Sequence, residues 1–267
     1  MDRARTSGRV AGAEGRSRGV HALGIPAKQR LHLAALLIVF CALPLFAQNE
    51  IELDPTITQE QFETFSRLVA QGIYATPVDP ARARGLLGFD IGVAATAIPV
   101  ETDAPYWQNA VNEDFTISDH VVVPRLIATK GLSVATISAM YSQVPDSDIS
   151  MWGASLDVPI ISGGAVKPTL AIRGSYAMLQ GVDDFDLNTY GAELFLSKGF
   201  GPVTPYGAIG IARSDAEGRV LTTTLTDEST SNRITLGVKL SLLIPKIVVE
   251  ATQGEERSYA AKVSFGF

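Results

Sequence analysis

From residue 86 to the carboxy-terminus, apolar and polar residues alternate with a period of two, the signature of half-buried β-strands. Trp152, Ala154, Leu156, Val158 and Ile160 share one face of such a segment, with Gly153, Ser155 and Asp157 on the other. Ile234, Leu236, Val238, Leu240 and Leu242 oppose Arg233, Thr235, Gly237, Lys239 and Ser241 in the same way. The last segment ends on an aromatic residue, with Tyr259, Ala261, Val263, Phe265 and Phe267 on one side and Lys262 and Ser264 on the other. The pattern predicts about ten strands, at 86–98, 120–129, 132–143, 149–160, 168–179, 187–198, 203–213, 232–243, 247–252 and 258–267.

Upstream, the period changes to that of a helix. Thr58 and Gln61 have capping-box spacing, Ile57 and Phe62 stand where a hydrophobic staple would, and Phe62, Phe65, Leu68, Val69 and Ile73 follow at helical intervals. A small amphipathic helix packed on the rest of the fold is expected, the alternative being a plug in a barrel lumen. Residues 76–84, with Pro77 and Pro80, read as a linker.

Alternation alone does not separate a soluble sandwich from a membrane barrel. The connections do more. Those at 99–119 and 214–231 are long, whereas 130–131, 199–202 and 244–246 are tight, as expected of long external loops and short periplasmic turns; 161–167 is longer than a tight turn. The short connections carry lysines (Lys130, Lys167, Lys198, Lys246), and the long ones carry acids, including Glu101, Asp103, Glu113, Asp114, Asp146, Asp215, Glu217, Asp227, Glu228, Glu255 and Glu256. Tyr141, Trp152, Tyr176, Tyr190 and Tyr259 fall at the loop ends of their strands, and Phe89, Phe200, Phe265 and Phe267 near the other end. Two aromatic girdles are a property of barrels that cross a membrane. The expected fold class is all-β, a transmembrane antiparallel β-barrel of about ten strands with a short amino-terminal helix.

Composition adds a route to that membrane. The stretch 31–46 is apolar except for His32, is preceded by Lys28 and Arg30, and is followed by Ala47, which reads as a secretory signal cleaved near Ala47. The organisation expected is a leader and signal at 1–47, a periplasmic or lumenal helix and linker at 48–85, and an outer-membrane barrel at 86–267. Cys41 lies inside the apolar stretch, so the exported part has neither a disulfide framework nor a thiolate metal site. Beyond residue 47, 15 Lys and Arg stand against 26 Asp and Glu. An acidic surface of this kind is a poor match for nucleic acid.

The segments GLLGFDIGV (85–93), VPDSDI (144–149), RGSYAMLQGVDD (173–184), SKGFGPVTPYG (197–207) and SYAAKVSFGF (258–267) resemble a functionally uncharacterised family of bacterial outer-membrane β-barrel proteins. The resemblance implies the barrel and an outer-membrane location. It implies no catalytic residues and no cofactor.

What the barrel does is sought on its inner face. Asp90, Arg125, Asp157, Arg173, Glu193, Arg233, Lys239, Glu250 and Lys262 fall there. Pairing hairpins about their loop centres sets Arg173 across from Glu193. It leaves Asp157 diagonal to Arg173, Glu250 diagonal to Lys239 and Lys262, and Asp90 diagonal to Arg125, with Lys262 brought near Asp90 by closure. The expectation is a lumenal ring of alternating charge, and from it a narrow porin-like channel for small polar solutes. The alternative is a closed structural or adhesive barrel presenting acidic extracellular loops.

An enzyme is not expected. His120, the histidine beyond the signal, shares a strand face with Ser118, but no hydrolase motif surrounds them. Asp146 with Asp148, and Asp183 with Asp184, could bind divalent cations bridging lipopolysaccharide phosphates, yet such acids more often form a solvated face. The partners expected are outer-membrane lipid and lipopolysaccharide, and the barrel assembly machinery.

Overall fold

The computed structural model describes residues 51–111, 119–144, 148–164, 166–242 and 244–267. The leader, Cys41, Glu113, Asp114, Ser118 and Asp146 lie outside the described residues.

Ten strands form one closed antiparallel barrel: β1 (Phe89–Pro99), β2 (His120–Gly131), β3 (Thr136–Gln143), β4 (Ser150–Ile161), β5 (Thr169–Gln180), β6 (Phe185–Ser197), β7 (Val203–Val220), β8 (Thr223–Ser241), β9 (Lys246–Gln253) and β10 (Arg257–Gly266). Each pairs with its neighbours in sequence, and β10 closes on β1 through Val93 opposite Val263 and Ala95 opposite Ala261. At the seam, Phe89 and Phe267 exchange backbone hydrogen bonds at 2.8 and 2.9 Å, and their rings meet edge-on at 4.6 Å. Closure leaves no free edge within the barrel wall, which a sheet in lipid requires.

The outward face is apolar. Ile91, Val93, Leu126, Ile137, Leu156, Val158, Ile172, Leu194, Ile209, Ile234, Leu236 and Val249 are all exposed. A row of rings stands at each end: half-buried Tyr141 against exposed Trp152 (4.5 Å) and exposed Tyr176 against Tyr190 (5.2 Å) at the loop end, exposed Phe89, Phe200, Phe265 and Phe267 at the turn end. A closed barrel with an apolar outer belt between two aromatic girdles is built for the bacterial outer membrane, with both chain-reversing ends in water.

Two strands are longer than the alternation predicts. Residues 214–231, expected as a loop, continue β7 and β8 into a tall hairpin that reverses at Leu221 and Thr222, with Leu221 at φ 53°. The hairpin tip lies beyond the lipid belt, so its outer face need not be apolar, while Ala216, Val220 and Leu225 face inward to the cluster under the amino-terminal helix. Asp215, Glu217, Asp227 and Glu228 therefore sit in good strand pairing that hydropathy alone disguises as loop.

The helix, α1 (Gln59–Ile73), forms where the sequence places it, with both halves of the capping box made: Gln61 N donates to Thr58 Oγ1 (3.3 Å) and Thr58 N to Gln61 Oε1 (3.1 Å). A single-turn helix, α2 (Pro105–Gln108), follows β1.

Candidate functional site: the strapped lumen

The lumen is occupied by the chain itself. α1 caps the loop end of the barrel, and residues 74–85 run from it down the interior to the turn end, where β1 begins. The expected linker is therefore an internal strap, with Tyr74, Ala75, Val78, Asp79 and Ala81 all buried.

Apolar contact seats the cap. Phe62, Phe65, Leu68 and Ile73 of α1 form one buried cluster with Trp107, Ile149, Met151, Leu179, Phe185, Leu187, Val220 and Leu225. Phe65 lies 5.7 Å from the Phe185 ring and 6.0 Å from Trp107, and Phe62 meets Phe185 edge-on at 5.8 Å. Polar contacts fix its orientation. Asp227 of the β7–β8 hairpin accepts from Arg67 Nη2 (3.1 Å), Arg67 Nε (3.3 Å) and Ser66 Oγ (3.1 Å), and this hydrogen bonding raises the Arg67 pKa above its ordinary value. Gln59 Nε2 donates to the Thr226 carbonyl at 2.7 Å. At the exposed rim, burial first and then the neighbouring Glu255 and Glu101 push the Glu256 carboxyl upward.

Small wall residues make room for the strap. Ala75, Val78 and Ala81 pack among inward-facing Ala94, Ala171, Ala177, Ala208 and Ala260. Gly191 is required where the Tyr74 ring passes: a Cβ there would stand 1.8 Å from Tyr74 Oη. Gly153 faces Ala75, whose Cβ would lie 3.0 Å from a Cβ at that position.

The strap's polar groups are met by the wall. Asp79 is the centre: its carboxylate accepts from Lys239 Nζ (2.7 and 2.9 Å), Lys262 Nζ (3.0 Å) and Arg84 Nη2 (2.7 Å), and its carbonyl accepts from Arg173 Nη2 (2.9 Å). Lys262 also donates to the Pro77 carbonyl at 2.8 Å. Arg125 donates to the carbonyl of Gly72, Arg233 to Gln71 Oε1 (2.7 Å), and the Arg233 guanidinium lies 3.8 Å from the Tyr74 ring centroid. Val78, just before Asp79, takes φ 47°, a conformation rare for a β-branched residue that only a tightly specified surrounding maintains.

The structure directs all eight residues expected in the charge ring, and Arg233, into the interior: Asp90, Arg125, Asp157, Arg173, Glu193, Lys239, Glu250 and Lys262 are each buried. The expected pairing of Asp157 with Arg173 and the approach of Lys262 to Asp90 are made, and the other partners differ from the hairpin estimate. Arg173 is opposite both Glu193 and Asp157 in register, but its fork engages Asp157 (2.7 and 3.0 Å), and Glu193 comes within 3.9 Å of Arg233 instead. Glu250 reaches neither lysine; it accepts from Tyr206 Oη (2.7 Å) and Thr76 Oγ1 (3.2 Å). Arg125 turns to Thr96 (2.7 Å) and α1 rather than to Asp90, which pairs with Lys246 (2.9 Å) and approaches Arg84 (3.6 Å) and Lys262 (3.8 Å). Two causes produce the differences: the register sets Asp157 directly opposite Arg173 rather than diagonal to it, and the strap, which a hairpin-by-hairpin estimate leaves out, supplies Asp79 to Lys239 and Lys262, Thr76 to Glu250 and Arg84 to Asp90. Asp79 and Arg84, hidden in an apparent linker, and Lys246, assigned to a turn, are the residues such an estimate misses.

Outside the lumen, the described residues assemble little chemistry. His120 is exposed at the loop end of β2. Among the described residues, no group of His, Cys, Asp and Glu is arranged to hold a metal ion.

No protein-family model matches the chain, and no curated protein is similar to it. Among solved structures, it is similar to the amino-terminal β-barrel domain of Pseudomonas aeruginosa OprF, at 12% identity and a TM-score of 0.34 over 68% of this chain and 99% of that one. It is also similar to neisserial surface protein A, at 13% identity and a TM-score of 0.32 over 67% and 97% of the two chains. Ail of Yersinia pestis matches at 10% identity and a TM-score of 0.28 over 67% and 95%. These similarities are too distant to carry an argument about activity, and the barrel architecture rests on the chain's own closed sheet.

Proposed function

We propose that this protein is a self-closed outer-membrane barrel, non-conducting at rest, that acts at the cell surface through its capped loop end. The observation that carries the reading is the strap: residues 74–85 fill the lumen along its length and are tied to the wall by buried ion pairs around Asp79. Between the two sequence-based expectations, this favours the closed structural or adhesive barrel over the open porin-like channel, because a solute path would need the strap to leave.

The orientation follows from the usual arrangement of such barrels, with short turns toward the periplasm and the more elaborate connections outside. α1, α2 and the β7–β8 hairpin then face the exterior, where the exposed acids Glu60, Glu101, Glu228, Glu255 and Glu256 give a partner an anionic surface. Outer-leaflet lipid and lipopolysaccharide surround the apolar belt, and the assembly machinery is the partner that inserts it. No catalytic role is assigned to any residue.

Conductance in planar bilayers tests the reading. The intact protein is expected to give no steady channels, and a variant lacking residues 53–72, which removes the cap, is expected to open at least intermittently. Steady conductance from the intact protein would overturn the closed barrel. Silence from both proteins, with the variant verified as inserted, would show that the strap closes the lumen without help from α1.

A further inference from the structure

Asp79 belongs to the strap, yet two of its three carboxylate partners belong to the wall. Lys239 on β8 and Lys262 on β10 bring their ammonium groups to 2.7–3.0 Å of its oxygens, and both lysines are almost wholly buried. Around them, Asp79 and Asp90 are the carboxylates, while Arg84, Lys239, Lys246 and Lys262 are the cations. Counting ion pairs within 4 Å, two negative groups thus face four positive ones in a region shielded from water. Were the strap removed, Lys239 would have no carboxylate within 4 Å among the described residues, and Lys262 would keep only Asp90, at 3.8 Å. A buried ammonium without a counter-charge is costly, so this part of the wall demands an anion.

The surroundings define which anion fits. Val78 and Ala81, on either side of Asp79, pack in an apolar cluster with Ala94, Val248 and Ala260. The wall therefore receives a carboxylate flanked by small hydrocarbon groups.

We propose that Lys239 and Lys262 form a lumenal binding site for short-chain monocarboxylates, held in this structure by the chain's own Asp79, and that a free carboxylate takes the site when Asp79 is withdrawn. The inference rests on the strap being the element that closes the lumen, and it names the class of solute that the opened lumen would favour. Asp79 is in this sense an internal stand-in for the ligand.

Chemical rescue provides the test. In the full-length exported chain, refolded in detergent, Asp79→Ala removes the carboxylate and leaves the two ammonium groups. The variant is expected to unfold at lower temperature than the parent in chloride. Propionate at equal ionic strength is expected to restore at least about half of that loss along a saturable curve, as linkage requires of a bound ligand. The parent, with its site filled, should not respond, and neither should Asp79→Ala combined with Lys239→Met. If Asp79→Ala does not refold in chloride, the yield of heat-modifiable barrel on refolding in propionate becomes the readout. Equal effects of chloride and propionate, or no recovery with either, would overturn the site. The closed-lumen reading fails separately, through steady conductance of the intact protein.

Discussion

At the residue scale, space in the lumen is allotted to the strap by individual small side chains. Gly191 is the tightest case, because any Cβ would enter the volume of Tyr74 Oη. Tyr74 cannot move freely, since Arg233 lies over its ring at 3.8 Å. Gly191→Ala is therefore expected to destabilise the folded barrel by about 1–3 kcal/mol, the range for overpacking a filled interior. Gly174→Ala, with nothing within 4 Å of its Cβ, is expected to stay within about 0.5 kcal/mol of the parent. Denaturant unfolding in the same detergent compares the two, and equal stability would mean that the Tyr74 ring does not pass Gly191. The inward direction of each charged residue is legible in the sequence, because strand parity alone sets it. The partners are legible only in part: Asp157 with Arg173 and Lys262 near Asp90 follow from the strand order, whereas Asp79 and Arg84 enter the lumen from a segment with no strand parity to read.

At the scale of elements, the capping box and apolar stripe define α1, and alternation defines eight of the strands to within a few residues. The two exceptions, β7 and β8, run past the lipid belt, where the hydropathy rule that marks a strand no longer applies. The inner face held a further clue. Met151, Leu179, Phe185 and Leu187 occupy inward positions at the loop end, where a water-filled mouth would carry polar groups, and they are the seat of α1. The seam between β1 and β10 makes a prediction about assembly. Phe267 closes the barrel through two backbone hydrogen bonds and ring contact with Phe89, so deleting it is expected to lower the fraction of membrane-inserted, heat-modifiable protein several-fold. Insertion at the parent's level would remove the closing role from this residue.

At the scale of the whole molecule, the barrel and its strap are two parts of one interior. A ten-stranded wall encloses more room than its own side chains fill when many of the inward ones are alanine and glycine, and residues 74–85 occupy the difference. The wall also carries Lys239, which has no wall carboxylate within 4 Å among the described residues, and Lys262, which has only Asp90 at 3.8 Å, and the strap brings Asp79 to both. The barrel is legible from periodicity, loop lengths and aromatic placement because each of these is repeated in strand after strand. The strap is not, because Pro77, Pro80, Arg82 and Arg84 have the composition of a solvated linker, and only the wall's small residues and surplus cations indicate what fills it. The passage of the strap beside β4 can be fixed directly by paired cysteines. A Cβ at Gly153 lies 3.0 Å from that of Ala75, so a shift of under about 1 Å reaches the 3.5–4.5 Å of a disulfide. With cysteine absent beyond residue 47, Ala75→Cys combined with Gly153→Cys is expected to cross-link on mild oxidation, giving a reducible band of altered mobility with both thiols blocked to maleimide. Two freely reactive thiols in the folded, heat-modifiable barrel would contradict a strap running through the lumen.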